Sequence, residues 1–172
     1  MTYTTSRTIY SFWILIVVTV LFFSFTTPLH AYFTTAQKEM RLSDGSGLFL
    51  IEYSFGMAKY EVYMTPFAQR NLTTDSKMVS YEILNEKNEV VAGKAVGIVL
   101  SDTMLNNDIQ YVVSKNAVKK FTLAVFFTPD KKNTREKYRL HVTYLPFKFD
   151  GTQQLQLNPS ELEKYTTKLI AL

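Results

Sequence analysis

Residues 121–127 read FTLAVFF, and Phe121, Leu123, Val125 and Phe127 occupy every second position. A two-residue apolar period is typical of a strand that buries one face. The Thr-Pro-Asp sequence that follows is typical of a turn. This segment therefore predicts a β-strand that is buried on one side.

The same alternation recurs along most of the chain. It is found in residues 49–55, 60–64, 79–83, 109–113, 138–144 and 155–157. Residues 66–77 and 101–108 between them are polar and are expected to be surface loops. Short strands without intervening long helical patterns predict an all-β fold, either a β-sandwich or a closed sheet. Gly93 and Gly97 lie within an apolar run, which favours a bulge or a close approach of two backbones.

Residues 155–165, LQLNPSELEKY, leave two interpretations of the C-terminus open. Asn158, Pro159 and Glu161 are well placed to begin a helix. The alternative is a single turn at a corner, followed by a last strand at 166–172. The corner is favoured because the two threonines at 166 and 167 suit a strand better than a helix.

The same segment resembles the tyrosine corner of immunoglobulin-like sandwiches. In that motif a tyrosine hydroxyl bonds back to the backbone upstream. The resemblance implies this structural role for Tyr165 and an immunoglobulin-like β-sandwich of about seven to nine strands. The chain has no cysteine and its one tryptophan is Trp13, so the hallmarks of antibody domains are missing. The resemblance thus concerns architecture and implies no function.

An N-terminal apolar segment is interpreted as an export signal or a membrane anchor. Residues 12–25 read FWILIVVTVLFFSF and include no charge. A basic residue, an apolar stretch and a small residue before a cleavage point are typical of a secretory signal. Cleavage is expected before Tyr32 or before Gln37. An uncleaved anchor helix is the rival interpretation, because residues 9–29 just reach the roughly 20 residues that a spanning helix needs.

Either interpretation places the rest of the chain outside the cytoplasmic membrane. Arg7, ahead of the apolar segment, favours that orientation. The expected organisation is a signal peptide or anchor at residues 1–31, a polar tether at 32–46 and a β-sandwich domain at 47–172.

Positive charge is concentrated in one region. Residues 115–139 carry eight basic and two acidic side chains. Pairing of 121–127 with 138–144 would place four of the basic residues at an exposed hairpin end, here named the basic tip: Lys131, Lys132, Arg135 and Lys137. Lys119 and Lys120 would then lie at the opposite end of the first strand. The basic tip is a candidate binding site for anionic envelope material or an acidic protein, and the alternative is a solvated loop that protects an edge strand from aggregation.

Catalytic and metal-binding patterns are sparse. His141 is the one histidine after residue 31, and no nucleophile motif accompanies it, which favours a surface histidine over a catalytic base. Met57 and His141 are candidate ligands for a soft ion such as Cu(I), although methionines that fill gaps in a core explain the pattern better. The missing cysteines exclude thiolate metal sites.

We therefore expect an exported or membrane-tethered module of the cell envelope that binds or supports other components without catalysis or a cofactor. Its expected partners are the membrane, through an uncleaved N-terminal segment, and an anionic envelope polymer or a protein. No nucleic-acid motif occurs. An envelope copper carrier and a hydrolase with an unrecognised carboxylate pair are the alternatives.

Overall fold

A computed structural model describes residues 34–56, 59–71, 77–130, 136–149, 153–157 and 159–172. All of them belong to one compact unit, Ala31–Leu172. The apolar segment at residues 12–25 and the cleavage point before Tyr32 lie outside the described residues. None of the helices in the described ranges is both long and apolar enough to cross a membrane.

The regular secondary structure of the described chain is almost entirely β-strand. In chain order they are β1 (Thr34–Arg41), β2 (Gly47–Phe55), β3 (Val62–Met64), β4 (Phe67–Arg70), β5 (Val79–Asn85), β6 (Gly93–Ser101), β7 (Tyr111–Val113), β8 (Lys119–Pro129), β9 (Lys137–Tyr144), β10 (Pro146–Phe149), β11 (Gln153–Gln156) and β12 (Ile170–Ala171). One helical turn, α1 (Pro159–Leu162), precedes β12.

The strands form two sheets. The large sheet has the spatial order β1-β2-β8-β6-β4-β5-β9-β12, and the small sheet has the order β11-β10-β3-β7. The predicted mainly-β fold is confirmed. The two-residue alternation explains it, because the apolar set of β2, β8 and β9 is buried on one face while the intervening residues are more exposed.

The small sheet packs against part of the inner face of the large sheet. The rings of Tyr111 on β7 and Phe121 on β8 meet edge to face at 5.8 Å. Phe55 at the end of β2 contacts Phe147 on β10, with ring centroids 4.6 Å apart. These aromatic contacts join the two sheets in one hydrophobic core.

Side chains of β1, an edge strand of the large sheet, bind the segment that precedes β12. The Gln37 amide donates to the carbonyl of Lys164, and the backbone N–H of Lys168 donates to Glu39 Oε1 at 2.6 Å. The C-terminal segment thus covers the outer edge of β1, which would otherwise present unpaired backbone groups.

Four local expectations need correction. The segment expected to be a polar tether contains β1, and the expected loop at 66–77 contains β4, because both strands have weak apolar alternation. Ile109 was expected in a strand, but it lies in a turn with φ of 55°. The C-terminus does form a corner of one turn, yet the last strand is only Ile170–Ala171 instead of 166–172.

The immunoglobulin-like part of the expectation is not confirmed. β4 and β5 are parallel neighbours, whereas the immunoglobulin arrangement consists of antiparallel strands. The described residues also form more strands than the expected seven to nine.

Candidate interaction surface

The outer side of the large sheet exposes large apolar side chains. We name five of them the outer apolar face: Phe67, Val96, Ile98, Leu100 and Phe126. Val96 is the most exposed of these, at 71%. Isolated exposed apolar residues are ordinary on protein surfaces, but a group on adjacent strands indicates an interaction site.

Strand register brings these residues into rows across the sheet. Phe67 on β4 pairs with Ile98 on β6, and Ile98 pairs with Ala124 on β8. Val96 pairs with Phe126, which is in turn paired with Leu48 on β2. Paired residues on neighbouring strands project to the same side of a sheet, so the rows form one apolar surface over four strands.

The inner side of β6 explains why its large side chains lie outside. Ideal Cβ atoms on Gly93 and Gly97 would lie 2.5 Å from the Phe127 ring and 2.6 Å from the Tyr81 ring, respectively. Rings from other strands thus fill the space inside β6. The sequence favoured a bulge or a close approach of two backbones. At Gly97 the close neighbour is instead the Tyr81 ring, whereas at Gly93 the carbonyl oxygen of Thr128 also lies 2.6 Å from the ideal Cβ. The large residues between the two glycines in sequence project outward.

Charged residues surround the outer apolar face on the same side of the sheet. Lys38, Lys94 and Lys120 are exposed there, together with Glu52. Their register places Lys38 beside Leu50 and Lys94 beside Thr128. The surface therefore combines an apolar centre with a mostly basic border, and such a border attracts acidic partners.

The basic tip is not the end of a hairpin. β8 and β9 are separated by β6, β4 and β5 in the large sheet, so the two strands are not neighbours and do not form a hairpin. Lys131, Lys132 and Arg135 lie outside the described residues. Lys137 is described, and its Nζ lies 3.0 Å from Glu86 Oε1, which offsets its charge. Lys119 and Lys120 lie at the other end of β8, as expected.

His141 is held in a polar setting on β9. Its Nδ1 lies 2.7 Å from Thr166 Oγ1, and Glu82 is its partner across the β5–β9 pair. Burial lowers the pKa of His141 below its ordinary value of 6.5. Met57 lies outside the described residues, so the pairing of Met57 with His141 as metal ligands stays a prediction. Among the residues that the structure describes, no group of three His, Cys, Asp or Glu could hold a metal ion.

Tyr165 is buried, but it does not make the hydrogen bond of a tyrosine corner. Its ring packs edge to face on Tyr53 at 5.7 Å. Its hydroxyl has no hydrogen-bond partner within the described ranges. The backbone fixes the corner instead, because the N–H of Val142 donates to the carbonyl of Tyr165 at 3.0 Å.

The outer apolar face was missed by sequence reasoning. Its signal was present in residues 93–100, where small residues alternate with Lys94, Val96, Ile98 and Leu100. In an ordinary half-buried strand the larger apolar residues face the core, whereas in β6 they face solvent. The sequence alone does not show this, because the rings that fill the space inside β6 belong to other strands. Comparisons of the chain with protein-family models, curated proteins and solved structures gave no match.

Proposed function

We propose that this protein is an exported or membrane-tethered module of the cell envelope that binds a partner protein through the outer apolar face and has no catalytic role. The observation that supports this proposal most is the apolar surface that the register builds over β2, β8, β6 and β4. Interface centres are apolar and depleted of charge, with polar residues at the rim.

The proposed partner is a protein with an apolar centre and an acidic border. An anionic polymer would suit Lys94 and Lys120 but would leave Val96, Ile98 and Phe126 in water. Two copies of this chain packed face to face would bring their lysine borders together, and like charges across an interface oppose association. A protein of complementary charge satisfies both parts of the surface.

The bounds of β1 favour one of the two expected cleavage points. Cleavage before Tyr32 leaves β1 complete, whereas cleavage before Gln37 would remove the first three of its residues. Because the three residues lost in that case pair with Ser54, Tyr53 and Glu52 of β2, we propose Tyr32 as the mature N-terminus if the segment is cleaved. For the architecture, we propose a β-sandwich in which the small sheet covers part of the large one.

Site-specific photo-crosslinking of the full chain in its host tests the proposed function. A photoreactive residue is placed at Val96 or at Ile98, with a matched position at exposed Lys87 in the turn between β5 and β6. The proposal predicts the same discrete protein adduct from both face positions and none from Lys87. Adding Lys94→Glu and Lys120→Glu should abolish the adduct, and adding Lys38→Glu should weaken it.

Three outcomes would contradict the proposal. An adduct of twice the chain mass would mean that a second copy occupies the face. Adducts with lipid alone would mean that the membrane occupies it. Equal labelling at Val96, Ile98 and Lys87, or none at any of them, would mean that the face is not a specific binding surface.

A further inference from the structure

A second group of exposed apolar side chains lies at one end of the large sheet, which we name the Thr34 end. β1 begins at this end, and Thr34 pairs with Ser54 at the end of β2. Ser54 pairs with Lys120 at the beginning of β8. Ser101, the last residue of β6, pairs with Phe121. The loop at residues 102–110 therefore begins in the row that contains Thr34.

This loop exposes apolar side chains to an unusual degree. Met104 is 87% exposed, and Leu105 and Ile109 are about half exposed. Val118, which precedes β8 at the same end of the sheet, is also about half exposed. None of these residues belongs to the outer apolar face.

The loop holds Ile109 in a backbone conformation that β-branched residues avoid. Its φ is 55°, in the left-handed region where such a residue is an outlier. Asn106 fixes the turn, because its Oδ1 accepts the N–H groups of Asp108 and Gln110 at 3.1 and 2.9 Å. The turn therefore presents an apolar, strained residue outward, and strain of this kind is concentrated at functional sites.

The charges around the loop are mostly positive. Lys115 and Lys120 are exposed, and Lys119 lies 4.0 Å from Asp102. Asp108 is the other carboxylate of the loop. Lysines beside exposed apolar side chains are typical of segments that rest on an anionic membrane surface.

The length of chain before Thr34 selects a membrane as the occupant. The apolar segment at residues 12–25 is followed by eight residues, 26–33, before β1 begins. Eight extended residues span at most roughly 30 Å. A chain tethered by that segment therefore holds the Thr34 end within roughly 30 Å of the bilayer, and the opposite end of β8 is ten residues along the strand, or about 33 Å from the first.

We propose that Met104, Leu105, Ile109 and Val118 insert into the interface of a bilayer with anionic headgroups, with Lys115 at headgroup level. In this orientation the strands of the large sheet run away from the membrane surface. The outer apolar face then stays accessible to a partner beside it. The inference rests on the tethering part of the proposed function and is independent of the partner.

A unique fluorescent label on the full chain tests this orientation. The chain has no cysteine, so Met104→Cys, Ile109→Cys and the control Lys87→Cys each provide a single labelling site. Each variant carries an environment-sensitive dye and is reconstituted in vesicles that contain phosphatidylglycerol and lipids with nitroxide-labelled headgroups. Thermal unfolding shows whether substitution of the strained Ile109 reduces folding. If it does, Met104→Cys provides the test.

The proposal predicts blue-shifted emission at positions 104 and 109 and loss of most of that emission to the nitroxide lipids, with neither change at 87. Adding Lys115→Glu, which lies outside the border of the outer apolar face, should reduce the quenching. Quenching at 87 in place of 104, or at none of the three positions, would overturn the proposal. Either result would leave the crosslinking test of the outer apolar face unaffected, so the failure of one proposal can be distinguished from the failure of the other.

Discussion

Tyr53 and Tyr165 pack edge to face with their ring centroids 5.7 Å apart, and neither hydroxyl has a hydrogen-bond partner within the described part of the chain. Each residue is 2% exposed. Burial raises the pKa of both hydroxyls above the ordinary value, so both stay protonated. The two rings stabilise the core through packing, whereas each hydroxyl has lost its water without gaining a partner.

Removing either hydroxyl should therefore not destabilise the fold. We expect Tyr53→Phe and Tyr165→Phe to leave the free energy of unfolding unchanged or to raise it by about 1 kcal/mol, because a buried unpaired hydroxyl is costly. Urea denaturation measures the change. Tyr111→Phe is the control, since the Tyr111 hydroxyl donates to the carbonyl of Val99 at 3.0 Å in a buried position, and its loss should cost about 1 kcal/mol. A cost of that size for Tyr165→Phe would instead indicate a working tyrosine corner.

Gly97 is expected to tolerate no side chain. A Cβ at this position would lie 2.6 Å from Cε1 of Tyr81, and Tyr81 is fully enclosed in the core. We expect Gly97→Ala to lower the free energy of unfolding by about 1–3 kcal/mol, the usual cost of overpacking. Val96→Ala on the exposed side of the same strand is the matched control and should change it by less than about 0.5 kcal/mol. Equal effects of the two changes would contradict the proposed filling of the space inside β6.

His141 should make the protein less stable as the pH falls below neutrality. Burial lowers its pKa first, and Arg139 lowers it further, while Glu82 and Glu163 act in the opposite direction. Because the folded-state pKa is below the unfolded-state value of about 6.5, the unfolded chain binds the proton first. The contribution of neutral His141 to the free energy of unfolding is therefore fully present above the unfolded-state pKa of about 6.5. It declines as the pH falls from there toward the folded-state pKa.

The free energy of unfolding, measured by chemical denaturation between about pH 5.5 and 7.5, checks this dependence. This range is chosen because most carboxylates stay ionised in it. His141→Gln should show a flatter profile than the native chain, since glutamine can still reach Thr166 but does not titrate. If native and variant profiles coincide, His141 has the same pKa in the folded and unfolded states.

The fold was largely predictable where a strand buries one face. FTLAVFF in β8 and YRLHVTY in β9 show the two-residue alternation, and the residues at every second position are buried as expected, whereas Phe126 is exposed. β1 and β4 were not predictable, because β1 is an edge strand made mostly of polar residues, TTAQKEMR, and β4 is only four residues long. Strand order was also out of reach, and for this reason β8 and β9 were wrongly expected to form a hairpin.

The candidate surface was harder to predict than the fold. Val96, Ile98 and Leu100 are large and apolar, and such residues are usually found in a core. They are exposed because Tyr81 and Phe127, distant in sequence, fill the space on the other side of β6. Only the three-dimensional register shows that these three residues and Phe126 share one outer face.

The affinity of the purified full chain for the protein captured by the outer apolar face tests the central proposal most directly. Ile98→Asp should raise the Kd about tenfold or more, because a charge would be buried at the centre of the contact. Ile98→Leu keeps the apolar contact and should leave the Kd nearly unchanged. An unchanged Kd for Ile98→Asp, with thermal unfolding showing an intact fold, would contradict the assignment of this face as the binding surface.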